Sequence, residues 1–86
     1  MLLIVFDRYA INMSNVDTFF YFELKKSYII KFIIRGNIEY SLVYNNKDAM
    51  LDDMNLIILK HRNNENFIKL NPDSIFSSIE DEILNK

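Results

Sequence analysis

Between Thr18 and Tyr44 the chain reads "TFFYFEL", "YIIKFII" and "IEYSLVY", three β-branched and aromatic stretches parted only by "KKS" and "RGN". This run constrains the fold more than any other feature. Such stretches favour strands, and connections this short make them hairpin neighbours in a sheet. Opposed residues of an antiparallel pair share a face, so the register can be tested against the hydrophobic pattern. A two-residue loop at Gly36-Asn37 would set Ile34 against Glu39 and Phe32 against Ser41. A three-residue loop, Arg35-Gly36-Asn37, sets Ile34 against Ile38, Phe32 against Tyr40, Ile30 against Leu42 and Tyr28 against Tyr44. The second choice keeps one face apolar. Asn37, at its last position, accepts the left-handed backbone that such a loop requires.

The same rule applied to Lys25-Lys26-Ser27 sets Leu24 against Tyr28, Phe22 against Ile30 and Phe20 against Phe32. The expected core face then carries Phe20, Phe22, Leu24, Tyr28, Ile30, Phe32, Ile34, Ile38, Tyr40, Leu42 and Tyr44. The expected second face carries Phe19, Ile33 and Glu39, then Tyr21, Lys31 and Ser41, then Glu23, Ile29 and Val43. That mixture is too apolar for an ordinary solvated surface. It predicts a partner-binding set of Phe19, Tyr21, Ile29, Lys31, Ile33 and Arg35.

The flanking segments complete the layout. "LLIVF" (Leu2 to Phe6) reads as a first strand. Arg8 to Asn12 continues it or turns back, and "MSNVD" has turn chemistry. "NNKDAMLDDMNLIILKHRNN" reads as a helix capped by Asn45 or Asn46, with Asp48 in its first turn and Lys60, His61 and Arg62 in its last. Met50, Met54, Ile57, Ile58 and His61 repeat at helical spacing and are expected on its core face. "NPDS" is expected to open a second helix, from about Asp73 to Leu84, with Asn71 as cap and Pro72 in its first turn. Its stripe of Ile75, Phe76, Ile79 and Ile83 is one expected cover for the second sheet face. The predicted fold is one α+β domain over residues 1–86: an antiparallel sheet of about four strands, with two helices in the C-terminal half.

Composition narrows the chemistry. Half the residues are hydrophobic and the chain has one Gly, one Pro and no Cys, the profile of an ordered core without disulfides or thiolate metal sites. A single Gly leaves no Gly-rich phosphate loop. The lone histidine, His61, has no second His or Cys to act with, and a structural or surface placement is expected. Asp52 and Asp53 are adjacent on the helix and diverge by about 100°. Glu80, Asp81 and Glu82 lack the spacing of a calcium loop. No catalytic residue, cofactor or metal site is predicted. Ten basic residues against twelve acidic ones give no polyanion-binding field. "MLLIVFD" lacks the basic flank and the length of a secretory signal, so a cytoplasmic location with no membrane partner is expected. Abundant Ile, Asn and Lys suggest an AT-rich bacterial or phage genome.

The order of β-hairpins followed by "YNNKDAMLDDMNLII", a strand that turns into an amphipathic helix, resembles small single-domain proteins of phages and mobile elements. The layout is similar from roughly Phe6 to Leu59. Some such proteins are anti-CRISPR inhibitors. The resemblance therefore implies a non-enzymatic protein that works by protein–protein contact, with a nucleic-acid-guided nuclease of a host defence system as partner. It carries over no site residue, and the mild net charge departs from the strongly acidic DNA mimics of that class. Two other functions fit the residues. One is a self-assembling homodimer joined through the apolar second face. The other is a single-stranded nucleic-acid binder stacking bases on Phe19 and Tyr21 beside Lys31 and Arg35, although the acidic balance makes direct nucleic-acid binding the weaker expectation.

Overall fold

The computed structural model describes residues 2–78. Strands β1 (Leu3–Phe6) and β2 (Tyr9–Asn12) form a hairpin, and a 3-10 turn at Met13–Asn15 leads into the long β3 (Val16–Leu24). Next come β4 (Ser27–Ile34), β5 (Ile38–Tyr44), helix α1 (Lys47–Arg62), β6 (Phe67–Lys69) and β7 (Ser74–Ser77). They build two sheets. One has the order β2-β1-β6, and the other has the order β3-β4-β5-β7. The α+β class with antiparallel pairing follows the sequence expectation, while β6 adds a parallel pairing to β1.

Both sheets and the helix close on one core. Leu2, Ile4, Phe6, Ile11, Ile68 and Leu70 come from the first sheet and its flanks. Ile30, Phe32, Leu42 and Tyr44 come from the second, and Met50, Met54 and Ile57 from α1. The β4–β5 register is the predicted one, with Ile34 opposite Ile38, Phe32 opposite Tyr40, Ile30 opposite Leu42 and Tyr28 opposite Tyr44. Asn37 has φ 63° and Gly36 has φ 85°, so the loop takes its left-handed turn where the pattern required one.

The β3–β4 register differs from the expectation by one residue. Leu24 faces Ser27 across a two-residue turn, Phe20 faces Lys31, and Phe19 faces Phe32. Lys25 and Lys26 both take the left-handed region, at φ 49° and 66°, as a type I′ turn demands. Because side chains alternate, this slip sends every β3 residue to the face opposite its predicted one. Phe19, Tyr21 and Glu23 share the core side, and Phe20, Phe22 and Leu24 share the other.

The helix forms as expected, with a narrower buried stripe. Asn46 caps it, its side-chain oxygen accepting from the Ala49 N–H at 3.1 Å, and Asp48 lies in the first turn. Met50, Met54 and Ile57 are buried. Ile58 and His61, predicted inward, are exposed, while Leu51 and Leu56 pack against the core edge instead.

The predicted second helix is corrected at its start. Ser74–Ser77 is a strand paired to β5, with Ile75 opposite Leu42 and Phe76 opposite Ser41. Ile75 therefore packs toward the core and cannot cover the outer face. The open edge of β5 supplies backbone partners, and local contacts hold the segment in register. Asp73 donates its N–H to the Val43 carbonyl (2.8 Å), and its carboxylate accepts the Asn45 N–H (2.7 Å). The Ser78 hydroxyl accepts the Glu39 N–H (2.9 Å). Asn71 and Pro72 belong to the connection before the strand. The rest of that predicted helix, including Ile79 and Ile83, lies outside the described residues, in which α1 is the one α-helix.

Candidate functional site: the outer face of the four-stranded sheet

One side of the β3-β4-β5-β7 sheet faces the core, and the reverse side has no layer over it among the described residues. Alternation places Phe20, Phe22 and Leu24 of β3, Ile29, Lys31 and Ile33 of β4, Glu39, Ser41 and Val43 of β5, and Phe76 of β7 on this reverse side. Three of its large apolar side chains are well exposed: Phe20 at 40%, Leu24 at 54% and Phe76 at 56%. Soluble proteins rarely leave such residues contiguous without a use for them.

Their arrangement makes a shallow groove of about 440 Å³, lined by residues that include Phe22, Leu24, Ile29, Lys31, Val43 and Phe76. Ile29 is only 8% exposed and lies on the central strand β4, so it forms the floor with Val43 beside it. Phe22 and Leu24 form the wall on the β3 side, and Phe76 forms the wall on the β7 side. The Phe20 and Phe22 rings stack at 5.8 Å with planes 30° apart. The Lys31 ammonium sits 5.7 Å from the Phe22 ring centroid, a distance at which the ring face attracts it. The groove is thus an apolar trough with one cation held against its wall.

The predicted partner-binding set is divided by this geometry. Ile29, Lys31 and Ile33 lie on the outer face as expected. Phe19 lies on the core side, its ring stacked 5.9 Å from Phe32 with planes 22° apart. Tyr21 shares that side on the edge strand of the sheet and is 52% exposed. Arg35 is exposed in the β4–β5 turn. Sequence reasoning missed Phe20, Phe22 and Leu24 because of the slipped register, and Phe76 because Asn71-Pro72 before it resembles a helix start. No period-two signal marks Phe76, since "SIFS" reads polar, apolar, apolar, polar.

A second cavity, about 470 Å³, lies between the β1–β2 turn and the β6–β7 connection, lined by Asp7, Arg8, Lys69, Asn71 and Asp73 among others. It mixes both charge signs, and its Asp73 carboxylate is engaged with the Asn45 backbone. Nearby, Tyr44 donates its hydroxyl proton to Asp53 Oδ2 at 2.7 Å, and the same oxygen accepts the Asn71 N–H at 3.4 Å. Burial, then the bond to Asp53 and the Asp53 and Asp73 charges, holds the Tyr44 phenol well above its ordinary pKa of 10.0. This constellation ties α1 to β5 and to the β6–β7 connection, and its polar atoms are directed at one another.

Among the described residues, no three His, Asp or Glu side chains converge as a metal site. No helix there is long and apolar enough to cross a membrane. Searches found no protein-family profile, curated protein or solved structure that matches this chain.

Proposed function

We propose that this chain is a binding protein that works without catalysis, through protein–protein contact at the outer sheet face. The observation that carries the reading is the groove floored by Ile29 and Val43, with exposed Leu24 and Phe76 on its two walls. Buried apolar anchors surrounded by a polar margin supply most of the energy of protein interfaces. Here Lys25, Ser27, Lys31 and Ser41 supply that margin. Inhibition of a nucleic-acid-guided nuclease is the narrower form of this proposal, and its support is the resemblance in layout. The single-stranded nucleic-acid alternative would have to use Phe20 and Phe22 beside Lys31, because Phe19 and Tyr21 are on the opposite side of the sheet.

The test uses Phe76→Ser and Leu24→Ser, each removing an exposed wall residue. Both variants should keep the circular dichroism and melting temperature of the parent. Each should lose at least tenfold in affinity for a protein captured from the native cell. Retained affinity in both folded variants would overturn the reading. Tight, salt-sensitive binding of single-stranded oligonucleotides by the parent would favour the nucleic-acid alternative instead.

A further inference from the structure

The outer edge of β3 is as unusual as the face beside it. β3 is nine residues long, about 30 Å at the usual strand rise, and it ends the sheet with β4 as its one neighbour among the described residues. The opposite edge belongs to β7, which has four residues. Edge strands are ordinarily blunted by lysine, proline, a bulge or shortness, because every second residue directs its backbone N–H and C=O outward. From Thr18 to Leu24 this strand has no lysine and no proline. Its one irregularity is confined to the far end, between Val16 and Thr18.

We propose that the β3 edge pairs with the β3 edge of a second copy of this chain, antiparallel about a two-fold axis at Tyr21, joining two four-stranded sheets into one. The charges at the two ends of the strand select this register: Asp17 at the bulge and Lys25 in the turn that follows Leu24. With the axis at Tyr21, Asp17 of each copy lies level with Lys25 of the other, so symmetry gives two opposite-charge pairs. An axis at Phe20 would set Asp17 against Glu23 twice. An axis at Phe22 would leave Asp17 beyond Lys25 and shorten the ladder. The Tyr21 register also sets Phe20 of one copy opposite Phe22 of the other on the outer face. The pairs of rings already stacked within each copy at 5.8 Å then lie side by side as a cluster of four across the join. The groove of each copy becomes part of one longer apolar surface. This inference goes beyond the proposed function, because it concerns the purified chain alone and stands or falls without any other partner.

The chain has no cysteine, which makes a single introduced thiol diagnostic. At the axis, Tyr21 pairs with itself, so Tyr21→Cys should form a disulfide-linked dimer under mild oxidation, while Asn55→Cys, on the exposed side of α1, should stay monomeric on a denaturing gel. Light scattering should give the parent twice the chain mass of 10.3 kDa. Tyr21→Lys sets two like charges together at the axis and should give a folded monomer. Asp17→Lys should weaken the dimer about five- to tenfold, and adding Lys25→Asp should restore it, as expected of two symmetry-related ion pairs. A parent that stays monomeric at high concentration overturns the proposal. So does a dimer in which Tyr21→Cys fails to cross-link, or one that Tyr21→Lys leaves intact.

Discussion

Substituting Lys26→Gly should stabilise the protein, although Lys26 touches none of the core. The turn holds Lys26 at φ 66° and Lys25 at φ 49°, and an L-residue pays about 1–2 kcal/mol there from Cβ crowding against the backbone. Glycine removes that strain. Its larger unfolded freedom takes back about 0.4–1 kcal/mol, which leaves a net gain of about 0.5–1 kcal/mol. For a domain of this size each kcal/mol moves the melting temperature by about 4–8 °C, so the shift should be readable in a thermal scan and in the urea midpoint. Ser27→Gly supplies the contrast. Ser27 is the first residue of β4, paired with Leu24, and glycine in a strand should cost about 0.5–1 kcal/mol. A three-residue loop over Lys25-Lys26-Ser27 would put the left-handed residue at Ser27 and reverse both signs. Stabilisation by Ser27→Gly together with destabilisation by Lys26→Gly would therefore refute the two-residue turn and the face assignments built on it.

Further outcomes follow from the same structure. Asn37→Gly, at φ 63°, should be neutral or slightly stabilising in the urea midpoint. Phe32→Ala removes a ring that is 0% exposed and should cost about 3–5 kcal/mol by chemical denaturation. Tyr44 has a folded pKa raised above its ordinary 10.0, so the stability tied to its protonated form is complete below pH 10 and is lost as the pH rises above it. Stability curves of the parent and Tyr44→Phe should accordingly converge as the pH is raised past 10, and curves that stay parallel would remove the Asp53 contact from the account.

Where the sequence was readable, two signals agreed. The Arg35-Gly36-Asn37 loop joined an apolar register to residues suited to positive φ, and the structure has both. Lys25-Lys26 offered no such agreement, since lysine is not a residue expected in a type I′ turn. The hydrophobic pattern was equally silent there. Phe19, Phe20, Tyr21 and Phe22 give an aromatic pair to either face, so a slip of one residue leaves the apparent core almost as apolar. The site inherited that ambiguity. Ile29, Lys31 and Ile33 were placed correctly because the β4–β5 register was readable, and Phe19 and Tyr21 were misplaced with β3. In the C-terminal part, Pro72 after Asn71 resembles a helix start, yet the open edge of β5 and the Asp73 contacts to Val43 and Asn45 draw the segment into the sheet. Tertiary pairing overrides local propensity there. The inward Ile75 and outward Phe76 follow from that pairing.

If the outer sheet face is where this protein meets its partner, the absence of cysteine allows the contact to be measured directly. A photoreactive group attached at Ser41→Cys, in the groove between Lys31 and Phe76, would report on the face. The same group at Asn55→Cys on α1 would report on the opposite side of the molecule. On irradiation in an extract of the native cell, the account predicts a covalent adduct with one dominant protein from position 41. Excess unlabelled parent should abolish that adduct, and position 55 should give no equivalent. An adduct of the same protein from position 55 alone, or none from position 41 while the unlabelled protein still captures that partner, would contradict it.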